Sequence, residues 1–195
     1  MIEPEERPST TALVVSALVF YGLMTVLGTG LLEFTDADAL TLIFGSGTTV
    51  EEDTLYGAGC GLLVVAVTYL FRNQKPVQRL NEEFREILGT PSSQAIAILA
   101  ISSAVGEEIL FRGALQETIG FFPTVICFGL MHGGFSPKYR VWALFATLAG
   151  VLLGWLATYT GNLLAPIICH MTVNYFNLHL VCGQTEAGKH DQCEG

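Results

Sequence analysis

The sequence predicts an all-α protein: a polytopic membrane helix bundle of about six transmembrane helices plus one amphipathic helix at the surface. Three observations predict it. Charged residues make up 14% of the chain, against about 25% in an ordinary soluble domain, while 51% are hydrophobic and the mean hydropathy is +0.50. Apolar runs close to the ~20 residues that cross a bilayer core recur along the chain. The basic residues between them fall into alternate loops, as they do in proteins threaded back and forth through a membrane.

Taken in order, residues 1–10 form a polar tail with Pro4 and Pro8, too charged for a signal peptide. Thr11 to Leu32 is apolar throughout and forms the first span. Glu33 to Thr54 carries Asp36, Asp38, Glu51, Glu52 and Asp53 with no Lys or Arg, and Ala39 to Phe44 within it reads as a short interfacial helix. Leu55 to Phe71 is a second span, in which Gly57 and Gly61 give a spacing that lets helix backbones approach closely. Between Arg72 and Gly89 the apolar residues Val77, Leu80, Phe84, Ile87 and Leu88 recur at helical spacing among charges, which predicts the amphipathic surface helix.

Thr90-Pro91-Ser92 is a helix start. The third span runs from there to about Thr118, and Gly120 and Pro123 bracket a turn. Pro123 to Phe135 is a short fourth span ending in His132-Gly133-Gly134. After a loop with Lys138 and Arg140, Val141 to Thr160 is a fifth, with Gly150 and Gly154 as a second close-packing pair. Gly161-Asn162 is a tight turn, and Leu163 to about Val181 is the sixth span. Residues 183–195 form a polar tail, so the chain reads as a single membrane domain, 1–195, with its bundle over 11–182. An amino terminus in the cytoplasm puts every Lys and Arg except Arg112 on the cytoplasmic side, and the expected location is a prokaryotic cytoplasmic membrane.

The net charge of −9 and the lack of a basic stripe exclude a nucleic-acid partner. Cys60, Cys127, Cys169, Cys182 and Cys193 show no C-x-x-C spacing, so neither a disulfide framework nor a zinc knuckle is expected. A metal site from Cys182, His190 and Cys193 is a remote option on loose spacing.

The chemistry is concentrated in the third span, at Glu107-Glu108-Ile109-Leu110-Phe111-Arg112. An ionised side chain near the bilayer centre costs roughly 2.5–3.5 kcal/mol or more, so an intramembrane charge is by default a functional one. Glu108 and Arg112 are four apart and share a helix face, where they can pair. Glu107 has Phe111 at that offset and is left for chemistry or for a partner on another helix. Counted from the outer helix ends, Glu107, His132 and Asn174 lie about 17–18 Å deep, His170 about 12 Å and Arg112 about 10 Å. His170 and Asn174 are four apart, as are Phe128 and His132, so each pair can face one cavity. Carboxylates, imidazoles and an amide at one depth suit the activation of water and the stabilisation of an oxyanion. A proton relay uses the same groups, but no inverted repeat supports a carrier.

Glu107-Glu108-x-x-x-Arg112, Phe128-x-x-x-His132 and His170-x-x-x-Asn174 resemble, in order, the three motifs of the CPBP (Abi) intramembrane protease family, which includes the type II CAAX prenyl endopeptidases. The likeness covers Ala95 to Asn174. It implies an endopeptidase acting on a membrane-anchored protein or peptide at the bilayer. Glu107 with His132 would activate water, His170 and Asn174 would stabilise the oxyanion, and Glu108, Arg112 and Phe128 would support them. No cofactor is needed in that scheme. The alternatives are a zinc-dependent version with Glu107, His132 and His170 as ligands, and a non-catalytic immunity or binding protein using the same cavity.

Overall fold

The computed structural model describes residues 9–33, 39–45 and 48–183. Arg7, Asp36, Asp38, Lys189, His190 and Cys193, and with them most of both polar tails, lie outside the described residues. The described chain is helical, without strands. Helix α1 spans Thr10–Leu32, capped by Ser9, whose hydroxyl accepts the Ala12 N–H at 3.2 Å. The short α2 covers Ala39–Phe44, and α3 spans Val50–Phe71 from a capping box of Thr49 and Glu52. Helix α4, Lys75–Leu88, opens with Pro76 in its first turn and ends at Gly89, whose φ is +65°.

The central rod runs Ser93–Ile119 without interruption. It comprises α5 (Ser93–Glu108), a π-helical stretch (Ile109–Leu115) and one last turn, α6 (Gln116–Ile119). Next come α7 (Phe121–Gly129) with a π turn (Leu130–Gly134), a 3-10 turn (Pro137–Tyr139), α8 (Arg140–Thr160) and α9 (Leu164–Gly183).

Burial separates the layers. The most apolar window of the central rod is 67% buried, whereas that of α1 is 6% and that of α3 is 11%. Helices α1 and α3 present Val26, Leu63 and Leu70 outward, two-thirds or more exposed. A soluble protein rarely leaves apolar surface of that extent uncovered; a bilayer covers it. Helix α9 packs between α3 and α5. Its approach to α3 is close because a Cβ on Gly57 would meet the Ala165 carbonyl at 2.5 Å, and one on Gly61 would meet Thr172 Cβ at 2.8 Å. The small-residue spacing read in the sequence is used here, as is the pair Gly150 and Gly154 against Phe128 and Phe121.

The all-α membrane bundle is as expected; by length and composition the count of candidate spans is smaller. Six spans were expected, but four helices are long and apolar enough to cross a membrane: Thr10–Leu32, Val50–Phe71, Ser93–Ile119 and Pro137–Thr160. The Phe121–Gly134 segment falls short; its 14 residues rise only about 21 Å, less than the ~30 Å core. Helix α9 is 20 residues long, but His170, Asn174, Asn177 and His179 lower its apolarity. The amphipathic α4 is present, but part of its apolar face is turned inward. Phe84 meets Trp142 of α8 edge-on at 4.9 Å, and Arg85 Nε donates to the Val181 carbonyl at 3.0 Å.

At the opposite end a buried polar knot ties α3 to the α8–α9 turn. Asp53, 2% exposed, accepts from Asn162 Nδ2 at 2.8 Å and from the Thr48 hydroxyl. Asn162 Oδ1 in turn accepts the Leu164 N–H at 2.9 Å and caps α9. Every polar atom taken from water there has found a partner, as burial demands.

Candidate active site

Adjacent residues on a helix point about 100° apart, so Glu107 and Glu108 can both avoid lipid only where α5 is enclosed on several sides. It is: Glu107 is 7% exposed and Glu108 fully buried. The π-helical stretch begins one residue after them. Such segments recur at functional sites because the extra residue re-aims side chains.

Glu108 is held from two sides. Arg112 Nη1 donates to Glu108 Oε1 at 3.0 Å, the i, i+4 pair expected from the spacing. His170 Nδ1 of α9 lies 2.7 Å from the same oxygen. Arg112 Nη2 reaches the Gly150 carbonyl at 3.5 Å, and the guanidinium sits over the Phe128 ring at 4.1 Å. Gly150 makes room for this, since a Cβ there would lie 3.3 Å from Phe128 and 3.6 Å from Arg112. A buried charge needs such a set of partners to be tolerated.

Glu107 faces the two histidines. Its Oε2 lies 3.5 Å from His132 Nε2 and 3.8 Å from His170 Nε2. His132 reaches this point because the backbone leaves helical geometry there, with ψ +35° at His132 and φ +89° at Gly133. Gly133 adopts the left-handed region that side chains resist, and a Cβ on it would meet Tyr139 Cβ at 2.6 Å. Phe128 lies among the three motifs, its ring 4.3 Å from His132 and 6.2 Å from His170.

The hydrogen bonds fix the tautomers. A carbonyl can only accept, so His132 Nδ1 carries its proton toward the Phe128 carbonyl 2.7 Å away. His170 Nδ1 likewise donates to the Glu108 carboxylate. In its neutral form each ring turns the Nε2 lone pair toward Glu107 Oε2, itself buried and without a hydrogen bond among the described residues. Three acceptors meeting at one point require a proton, or the hydrogens of a water, to hold them together.

Asn174 stands a turn further along α9, where its Nδ2 donates to Ser103 Oγ at 2.9 Å. The structure thus brings Glu107, Glu108, Arg112, Phe128, His132 and His170 into one cluster and places Asn174 beside it, bonded to α5. Sequence reasoning missed Ser103, although it lies four residues before Glu107 on the same face. It also missed Trp142, whose ring meets His132 edge-on at 5.1 Å. Only its aromatic character marked it.

The elements that carry this cluster coincide with a known family. Residues 91–176 match the family described as type II CAAX prenyl endopeptidase Rce1-like. The Rce1-like region starts just before α5 and ends within α9, enclosing every motif residue named above. The chain is also 31% identical over 111 residues to the uncharacterized protein YpbD of Bacillus subtilis (strain 168). That likeness covers 55% of this chain and 57% of the relative, so the chain spans a little over half the length of the curated relative it matches. No solved structure matches. Rce1-like proteins form a protease family, and the outward apolar faces of α1 and α3 mark an integral membrane protein.

Among the described residues no group of three or more His, Cys, Asp or Glu is gathered as a metal ion requires. Glu107, His132 and His170, the residues of the zinc alternative, are neighbours, with both Nε2 atoms within 3.8 Å of Glu107 Oε2.

Proposed function

We propose that this protein is an intramembrane endopeptidase that hydrolyses a peptide bond of a membrane-anchored protein or peptide, with water activated by Glu107 and His132 and no metal. The observation that supports the reading is the convergence of the His132 and His170 Nε2 atoms on Glu107 Oε2. A water ~2.8 Å from Glu107 and from one imidazole would supply the hydrogens this point needs. It would also be oriented for attack on a carbonyl.

Charge balance completes the scheme. Two carboxylates against Arg112 leave one uncompensated negative charge in a buried site, and one proton on an imidazole neutralises it. With that proton on His170, which Glu108 grips through Nδ1, Nε2–H can donate to the oxyanion formed on attack. Asn174 adds its second amide hydrogen, the first being held by Ser103. Glu107 takes a proton from the attacking water as the O–C bond forms. Glu107 passes this proton to His132 Nε2, and His132 hands it to the departing amine as the C–N bond breaks and the carbonyl re-forms. Glu108, Arg112 and Phe128 hold this frame. The amino terminus faces the cytoplasm of a prokaryotic cell in this reading.

The test uses purified protein in liposomes with a set of fluorogenic membrane-anchored peptides. Glu107→Ala and His132→Ala are expected to lower turnover by about 10²–10⁴-fold while the helical signal and melting remain those of the unmodified protein. New protein termini in cells carrying the active protein, absent with Glu107→Ala, would identify the substrate. Full cleavage by Glu107→Ala would refute the assignment.

A further inference from the structure

We propose that Trp142 is a positioning residue for His132, and that α4 takes part in the site by holding Trp142 from outside. The inference rests on the proposed reading only for its activity readout.

His132 is weakly anchored by its own helix. The backbone departs from helical geometry at His132 and Gly133, so no continuing helix fixes the side chain from the carboxyl-terminal side. One hydrogen bond, from Nδ1 to the Phe128 carbonyl, leaves the ring free to rock about that contact. Two aromatic neighbours limit the rocking. Phe128 lies 4.3 Å away, tilted by 42°, and Trp142 lies 5.1 Å away, edge-on at 80°. Phe128 belongs to the same helix and moves with it, whereas Trp142 comes from α8 and supplies a reference outside that helix.

Trp142 is in turn fixed by surface elements. It meets Phe84 of α4 at 4.9 Å and 90°, and Tyr139 at 6.1 Å. An ion pair between Lys138 and Glu83 clamps the loop before α8 to α4 beside these rings. Phe84 is an apolar residue that α4 turns inward, and the next residue, Arg85, is tied to the end of α9. A continuous run of packed groups therefore leads from α4 through Phe84 and Trp142 to His132 and Glu107. A 1 Å misplacement of a catalytic group can cost about 10²-fold in rate, so this packing has leverage on the reaction. The Rce1-like match begins at residue 91, after α4, which makes α4 an addition from outside the matched region.

The experiment compares Trp142→Ala, Trp142→Phe and Phe84→Ala in the full-length protein in liposomes. Two readouts are taken: the side-chain nitrogen resonances of selectively labelled histidine, assigned through His132→Gln, and peptide turnover. Trp142→Ala and Phe84→Ala are expected to shift or broaden the His132 resonances and to lower kcat about 10-fold with KM changed less than 2-fold. Trp142→Phe is expected to retain most of both. Phe84 lies on a partly exposed surface helix, so its removal tests the coupling even where Trp142→Ala does not fold. Unchanged His132 resonances in Phe84→Ala would overturn the proposal. Should the unmodified protein cleave nothing, the protease reading falls while the resonances still decide the role of Trp142.

Discussion

Removing Arg112 tests whether the Glu108 cluster is a single electrostatic unit. In Arg112→Met the side-chain volume is roughly kept, but Glu108, fully buried, loses the guanidinium 3.0 Å from its Oε1. Breaking a buried pair by removing one partner costs about 3–5 kcal/mol. Loss of the guanidinium over Phe128 at 4.1 Å adds about 0.5–2 kcal/mol. The expected destabilisation is therefore about 3.5–7 kcal/mol, comparable to the low end of whole-domain stability. The double variant Glu108→Gln/Arg112→Met removes both charges, and the glutamine carbonyl still accepts from His170 Nδ1. It is expected to recover at least ~2 kcal/mol of that loss, the kind of coupling that neighbours in one network show. Reversible denaturant unfolding in mild micelles, followed by the fluorescence of Trp142 and Trp155, gives the values for the double variant and for the singles Arg112→Met and Glu108→Gln. A cost below ~1 kcal/mol for Arg112→Met, or a double variant at the sum of the two singles, would refute the reasoning.

Further outcomes follow from other parts of the molecule. Peptidase activity is expected to survive exhaustive treatment with a strong zinc chelator; loss of turnover that added zinc restores would replace the metal-free scheme. Gly61→Val drives a side chain into Thr172 and the Cys169 carbonyl and is expected to cost about 1–3 kcal/mol. By contrast Gly59→Ala, with open space around it, should change stability by less than about 1 kcal/mol; equal melting losses for the two would count against the α3–α9 contact. Asn162→Ala removes the 2.8 Å bond to Asp53 and the cap on α9. It is expected to cost about 2–4 kcal/mol and to speed hydrogen exchange at the α9 amino terminus, leaving that of α4 unchanged.

Much of this protein is written in local patterns. Apolar runs gave the helices, Thr90-Pro91-Ser92 gave one start and Gly161-Asn162 the last turn, whereas the caps Ser9 and Thr49 emerged only in the structure, which starts α3 at Val50 rather than Leu55. The i, i+4 spacing of Glu108 and Arg112 gave their ion pair, because geometry within one helix is fixed by its own backbone. Depth along the helices was enough to gather Glu107, His132 and His170 on paper. What depth leaves open is rotation. Which oxygen meets which nitrogen depends on how each helix is turned about its axis, and all its neighbours set that turn together. Only the packed structure therefore joins His170 to Glu108, so that the supporting acid grips an imidazole that also faces Glu107. Only packing draws Asn174 onto Ser103 and turns Phe84 of α4 in against Trp142. Periodicity fixes which residues share a stripe; the partner of that stripe is chosen by the side chains of every helix around it, and those lie far apart in the chain.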